Sequence, residues 1–122
     1  VSWDIEIARK LWRRGLYRKL MNYAFAELQA GARIPYAPAR PYWLTVDPTN
    51  FCQLRCPFCP TGSRRDVRPN AVMDQGLFTE LMRELGPYLL HVDFMNWGEP
   101  LLNPGVFGMT ALARSYGAET AI

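Results

Sequence analysis

From Tyr42 onward the chain switches repeatedly between strand-like and helix-like patterning, and this alternation narrows the fold more than any other feature. Tyr42 to Asp47 is an aromatic and β-branched run that reads as a strand. Gln75 to Leu85 reads as a helix, with Asp74 as its N-cap and Leu77, Phe78, Leu81, Met82 and Leu85 recurring on one face. Gly86-Pro87 stops it, the glycine being expected in the left-handed cap conformation. Tyr88 to Trp97 is a second strand, apolar enough to be buried on both faces as parallel strands are. Asn103-Pro104 supplies an N-cap and first turn for a helix through Val106, Phe107, Met109, Thr110, Leu112 and Ala113 to Tyr116, capped by Gly117. Ala118 to Ile122 opens a third strand. This order predicts a parallel α/β sheet with right-handed crossovers, in which the loops after the strands share one carboxyl edge. Chemistry gathers at that edge in such folds.

The first 41 residues belong to a different pattern. Residues 1–30 read as an amphipathic helix, with Ile5, Ala8, Trp12, Leu16, Leu20, Tyr23 and Leu28 recurring from Trp3 to Leu28 and Arg9, Lys10, Arg13, Arg14 and Arg18 largely off that stripe. Gly15 weakens it as a single rod. Residues 31–41, with Gly31, Pro35, Pro38 and Pro41, form a linker, and residues 42–122 form the α/β unit. The formal charge of +3 is unevenly placed, because residues 1–34 carry seven Lys/Arg against three Asp/Glu and the remainder seven against eight. The basic helix is read as a docking helix with a solvated face; the sharper reading is contact with a membrane surface or nucleic acid. No nucleic acid is expected.

Cys52, Cys56 and Cys59 are all the cysteines of the chain, and they lie within eight residues on the loop after the first strand. An odd, clustered set of this kind speaks against a secreted disulfide framework and for a reducing compartment, the cytoplasm. Neither a signal peptide nor an apolar run of about 18 residues is present. Thiolates suit iron–sulfur clusters or zinc, and three of them leave one tetrahedral position open. A polar loop follows, with Arg64, Arg65 and Arg68 opposed by Asp66. His91, inside the second strand, reads as a hydrogen-bonded core residue rather than a ligand.

The C-x-x-x-C-x-x-C motif after a strand, followed by Gly98-Glu99-Pro100 after the next strand, resembles the radical S-adenosylmethionine superfamily over residues 42–122. The resemblance implies the N-terminal part of a parallel (β/α) partial TIM-type barrel: about two βα units and a strand stub, preceded by the amphipathic helix. It implies a [4Fe-4S] cluster held by Cys52, Cys56 and Cys59, and S-adenosyl-L-methionine contacted by Phe58, Gly98, Glu99 and Pro100. Glu99 is then the acceptor for the cofactor's ammonium. The implied activity is that of an iron–sulfur oxidoreductase: one-electron reduction of the sulfonium, then hydrogen abstraction from substrate by the 5′-deoxyadenosyl radical. The implied partners are a small-molecule or peptide substrate and an electron donor such as a flavodoxin or ferredoxin. Cys59-Pro60-Thr61-Gly62 is most similar to the branch that often carries a SPASM domain. Trp97 stands where the first glycine of the family's G-G-E-P motif usually does, and Gln53 where related sequences often have Asn.

The alternative is a non-catalytic zinc module using the three cysteines, with His91 as a further candidate ligand. Val1 at the start and the uncapped apolar Ala121-Ile122 at the end point to a fragment. A closed barrel of about six units needs roughly 200 residues. The piece alone is therefore expected to be poorly stable and inactive, with an open strand edge.

Overall fold

A computed structural model describes residues 5–36, 38–63 and 68–122. Trp3, where the sequence pattern begins its helix, and Arg64, Arg65 and Asp66 of the polar loop lie outside the described residues. The elements run α1 (Ile5–Arg13), α2 (Tyr17–Gly31), β1 (Trp43–Val46), α3 (Gln75–Leu85), β2 (His91–Phe94), a short 3₁₀ turn (Pro100–Leu102), α4 (Val106–Ser115) and β3 (Glu119–Ala121). The strands form one parallel sheet in the order β1-β2-β3. Trp43 aligns with His91 and Glu119, and Thr45 with Asp93 and Ala121.

The α/β alternation sets this sheet because each helix covers one face of it. Val46, Val92 and Phe94 point toward α3 and α4 and pack with Phe78, Met82, Val106, Met109 and Ala113 in a closed core. The Phe78 and Phe94 rings tilt against each other at 5.5 Å. Asp74 caps α3 as expected, accepting from Leu77 N at 3.0 Å. Leu77 itself is exposed, so the buried face of α3 is narrower than its hydrophobic pattern. Gly86 ends α3 with right-handed geometry rather than the expected left-handed cap, its N–H bonding Met82 O as one more turn. Gly117, after α4, does take positive φ, at 78°. The second strand is also shorter than its apolar run, because Tyr88 and Leu89 turn back to bond Leu85 O.

The N-terminal region is two helices rather than one. Gly15 adopts φ 68°, and the chain turns there. This break rotates α2 relative to α1, so the single stripe foreseen from the sequence is not what becomes buried. Leu11, Lys19, Tyr23 and Gln29 face inward, while Ile5 and Trp12 of the expected apolar face are exposed. The hairpin docks at the amino ends of the strands: Lys10 bonds Glu119 at the start of β3, and Lys19 Nζ donates to Leu89 O just ahead of β2. Arg18 donates to the Tyr88 hydroxyl at 2.7 Å and lies over its ring. Among the described residues no helix is long and apolar enough to cross a membrane.

Burial lowers the Lys19 ammonium from 10.5 to about 8, with Arg14 adding like-charge repulsion. The unfolded lysine keeps its proton up to about 10.5 while the folded one releases it from about 8, so the unfolded state binds more protons across that window. Stability is expected to rise as pH climbs from 8 to 10.5, by about 2 kcal/mol after allowing for solvent reaching part of the ammonium. Denaturant midpoints measured across this range check it: the rise disappears in Lys19→Met.

Candidate functional site

Both unusual loops leave the carboxyl edge of the sheet, and a small set of polar side chains binds them together. Asp47, at the end of β1, accepts from Trp97 N at 2.9 Å and from Asn96 Nδ2 at 3.1 Å. Thr49, 1% exposed, donates its hydroxyl to Glu99 O at 3.0 Å and lies 3.2 Å from Phe51 O, while Glu99 N bonds Phe51 O at 3.0 Å. The loop before the cysteines and the Gly-Glu-Pro loop are therefore stitched backbone to backbone. Asn96 takes φ 155°, a region that costs a non-glycine residue on the order of 1–3 kcal/mol, and the bond to Asp47 holds it there.

Gly98 shows why its position tolerates no side chain. A Cβ there would lie 2.5 Å from the Thr49 carbonyl carbon and closer still to both Thr49 oxygens. The glycine thus permits direct contact between the two loops. Glu99 caps the 3₁₀ turn, its Oε1 accepting from Leu101 N at 3.2 Å, and Pro100 begins that turn. A carboxylate has about four acceptor positions, so this bond leaves Glu99 able to take an ammonium as well.

Asn50 and Asn103 complete the frame. Asn50 bonds Ala71 N through Oδ1 at 2.7 Å and Pro69 O through Nδ2 at 2.8 Å, pinning the far end of the polar loop. Asn103, 3% exposed, donates to Pro48 O at 2.9 Å and Met73 O at 3.1 Å and accepts from Gly105 N at 2.8 Å. It is a buried tie between β1, the approach to α3 and α4, not the N-cap expected from the sequence; α4 starts three residues later, after Gly105. The sequence reading passed over Asp47, Thr49 and Asn50. Their signal was present in a polar Asp-Pro-Thr-Asn string at a strand end, where such side chains replace backbone hydrogen bonds.

Cys52, Cys56 and Cys59 are free thiols on this loop, Cys56 exposed and the others half-buried. Cys52 Sγ accepts from Leu54 N at 3.4 Å, and Cys59 N bonds Cys56 O at 3.2 Å. Among the described residues no three His, Cys, Asp or Glu side chains are gathered at metal-binding distances, so the structure places the three thiols on one loop without closing them on a point. Phe58, 99% exposed, projects beside them. Two observations fit a bound cluster. The loop curls so tightly that a Cβ on Gly62 would lie 2.7 Å from Cys56 N, and Thr61 Oγ1, two positions after Cys59, is buried without a hydrogen-bond partner among the described residues. An unmet buried hydroxyl costs about 1–3 kcal/mol, which an acceptor such as a cluster sulfide or a thiolate relieves.

His91 lies at the opposite, amino end of β2. Its Nε2 pairs with Asp93 Oδ1 at 2.8 Å, its ring packs on Trp43 at 4.6 Å, and Trp43 Nε1 donates to Asp93 Oδ2 at 2.6 Å. It is a hydrogen-bonded strand residue, as expected. Separated by the length of the sheet from a loop that leaves the carboxyl end, it is not placed to complete a zinc site with the cysteines, and the zinc alternative is left without this candidate ligand.

No protein-family model matches the chain. It is similar to the probable dual-specificity RNA methyltransferase RlmN of Thermosynechococcus vestitus, 41% identical over 71 residues, which are 54% of this chain and 20% of that protein. It is similar also to the probable dual-specificity RNA methyltransferase RlmN of Synechococcus sp., 33% identical over 94 residues, 75% of this chain and 26% of that protein. The chain thus spans between a fifth and about a quarter of the length of these curated relatives. Its fold matches the crystal structure of BtrN in complex with AdoMet and 2-DOIA, with a TM-score of 0.58 and 24% identity over 65% of this chain and 33% of that one.

Proposed function

The chain belongs to the radical S-adenosylmethionine superfamily, and from that premise we propose that it forms the cluster and cofactor side of a cytoplasmic enzyme of that kind. The observation that carries the reading is the direct contact of the two loops at Gly98 and Thr49, which sets a three-thiol loop beside a carboxylate at one sheet edge. Cys52, Cys56 and Cys59 hold a [4Fe-4S] cluster; when bound, the cluster supplies the electron that cleaves a carbon–sulfur bond of S-adenosyl-L-methionine and begins radical chemistry. Glu99 accepts the cofactor's ammonium in a charge-assisted hydrogen bond. Gly98 and Pro100 shape the backbone around it, and Phe58 offers its exposed ring to the adenine. Thr49 and Asp47 hold the Gly-Glu-Pro loop in register with the cysteines, so that cofactor and cluster are presented together rather than on two independent loops.

A flavodoxin or ferredoxin is the fitting electron donor, and the substrate reading is a small molecule or peptide. The names of the relatives favour a second substrate reading, RNA, for the same cofactor chemistry. Anaerobic reconstitution with iron, sulfide and zinc offered together tests the metal. About four iron and four sulfide per chain are expected; zinc without sulfide overturns the reading.

A further inference from the structure

We propose that the α1–α2 hairpin docks the protein on an anionic lipid bilayer. Tyr17, Met21, Phe25 and Leu28 follow one another at steps of four, four and three, one face of α2, and all four are exposed, Met21 at 73% and Leu28 at 67%. The stripe continues onto α1, because the Trp12 ring meets Tyr17 edge-on at 5.1 Å and is itself 63% exposed. Between the helices, Ile5, Ala8, Trp12 and Leu20 line a shallow groove whose remaining walls are Arg9 and Arg13. Among the described residues Arg9, Arg13 and Arg14 make no salt bridge, whereas Lys10 and Arg18 are engaged by Glu119 and Tyr88. The acid of α1 is Glu6, and residues 1–34 hold a net excess of four positive charges.

An apolar strip of Trp, Tyr, Met, Phe and Leu with an arginine rim is the composition that lies in a bilayer interface, the rings at headgroup depth and the cations on anionic headgroups. Nucleic acid meets the arginines and stacks on Trp12 and Tyr17, but leaves Met21, Phe25 and Leu28 in water. A second copy brings two sets of Arg9 and Arg13 around one buried patch, where like charges oppose association. The hairpin also sits at the amino ends of the strands, so docking through it leaves the cysteine and Gly-Glu-Pro loops facing the aqueous phase.

The test is co-sedimentation of the full chain with vesicles, without metal reconstitution, so the outcome is independent of the cluster. Binding to vesicles of phosphatidylcholine with 30 mol% phosphatidylglycerol is expected to exceed binding to phosphatidylcholine alone by about tenfold or more at low salt, and to fall as salt is raised. Arg9→Glu with Arg13→Glu removes the preference for the anionic lipid. Met21→Ser with Phe25→Ser, both at exposed positions and so compatible with an unchanged circular dichroism spectrum, weakens binding about tenfold. No partition to anionic vesicles overturns the proposal. So does RNA binding that the arginine variant abolishes and the Met21/Phe25 variant leaves intact, or a dimer in sedimentation equilibrium that the Met21/Phe25 variant dissociates.

Discussion

Gly98→Ala is expected to weaken cofactor binding about a hundredfold while leaving the α/β core folded. The added methyl would enter a space already filled by Thr49, approaching its carbonyl carbon at 2.5 Å and its oxygens more closely still. Thr49 cannot yield easily, because it is buried and its hydroxyl is bonded to Glu99 O. The Gly-Glu-Pro loop must then lift away from the cysteine loop, breaking the Glu99 N to Phe51 O bond and moving the Glu99 carboxylate. Overpacking of this kind costs about 1–3 kcal/mol in stability. The larger effect is on the site, where displacement by about 1 Å reduces the benefit of positioning by about a hundredfold. Calorimetric titration of the reconstituted protein with S-adenosyl-L-methionine checks it, with Gly31→Ala as control. A Cβ on Gly31 meets nothing within 4 Å, and that variant is expected to bind as the parent does.

Replacing any one of Cys52, Cys56 and Cys59 with serine is expected to remove the cluster and not the fold. A hard hydroxyl is a poor substitute for a soft thiolate toward iron, so bound iron and sulfide fall to a small fraction of the parent's. The fold survives because none of the three thiols belongs to the core and none is in a disulfide. Equal far-UV circular dichroism with lost visible absorption is the expected pair of results. His91→Ala separates the cluster from the zinc alternative: it leaves iron content unchanged, since His91 is engaged by Asp93 at the other end of β2.

What the sequence made legible was whatever depends on local chemistry. Asp74 followed by an apolar run defines α3 to the residue at both ends, because a side-chain cap and a periodic face are written in consecutive positions. The cysteine spacing and Gly98-Glu99-Pro100 were equally plain, and the alternation placed both on one edge. The strands were read too long, since Tyr88 and Leu89 are apolar but turn to meet α3. The buried face of the N-terminal helices was misread for a different reason. Periodicity assumes one continuous rod, and a single left-handed Gly15 rotates everything after it. The ties through Asp47, Thr49, Asn50 and Asn103 escaped because their partners lie up to 55 residues away. A polar residue at a strand end looks like any turn residue until the second loop is brought beside it.

The N-terminal hairpin and the cysteine loop lie at opposite ends of the sheet. At one end Lys10 and Lys19 tie the helices to Glu119 and Leu89, leaving an apolar, arginine-rimmed face outward. At the other, hydrogen bonds join the loop that carries the cysteines to Gly98-Glu99-Pro100. Among the described residues β1 and β3 are the outer strands of the sheet between them.

The central claim is that the cysteine loop and Gly98-Glu99-Pro100 form one site in which the cofactor sits against the cluster. Electron paramagnetic resonance of the reduced, reconstituted protein, recorded with and without S-adenosyl-L-methionine, measures this directly. The account predicts that the cofactor shifts the cluster signal in the parent protein, and that Glu99→Gln shifts it only at about tenfold or higher cofactor concentration. A cluster signal that saturating S-adenosyl-L-methionine leaves unchanged contradicts it.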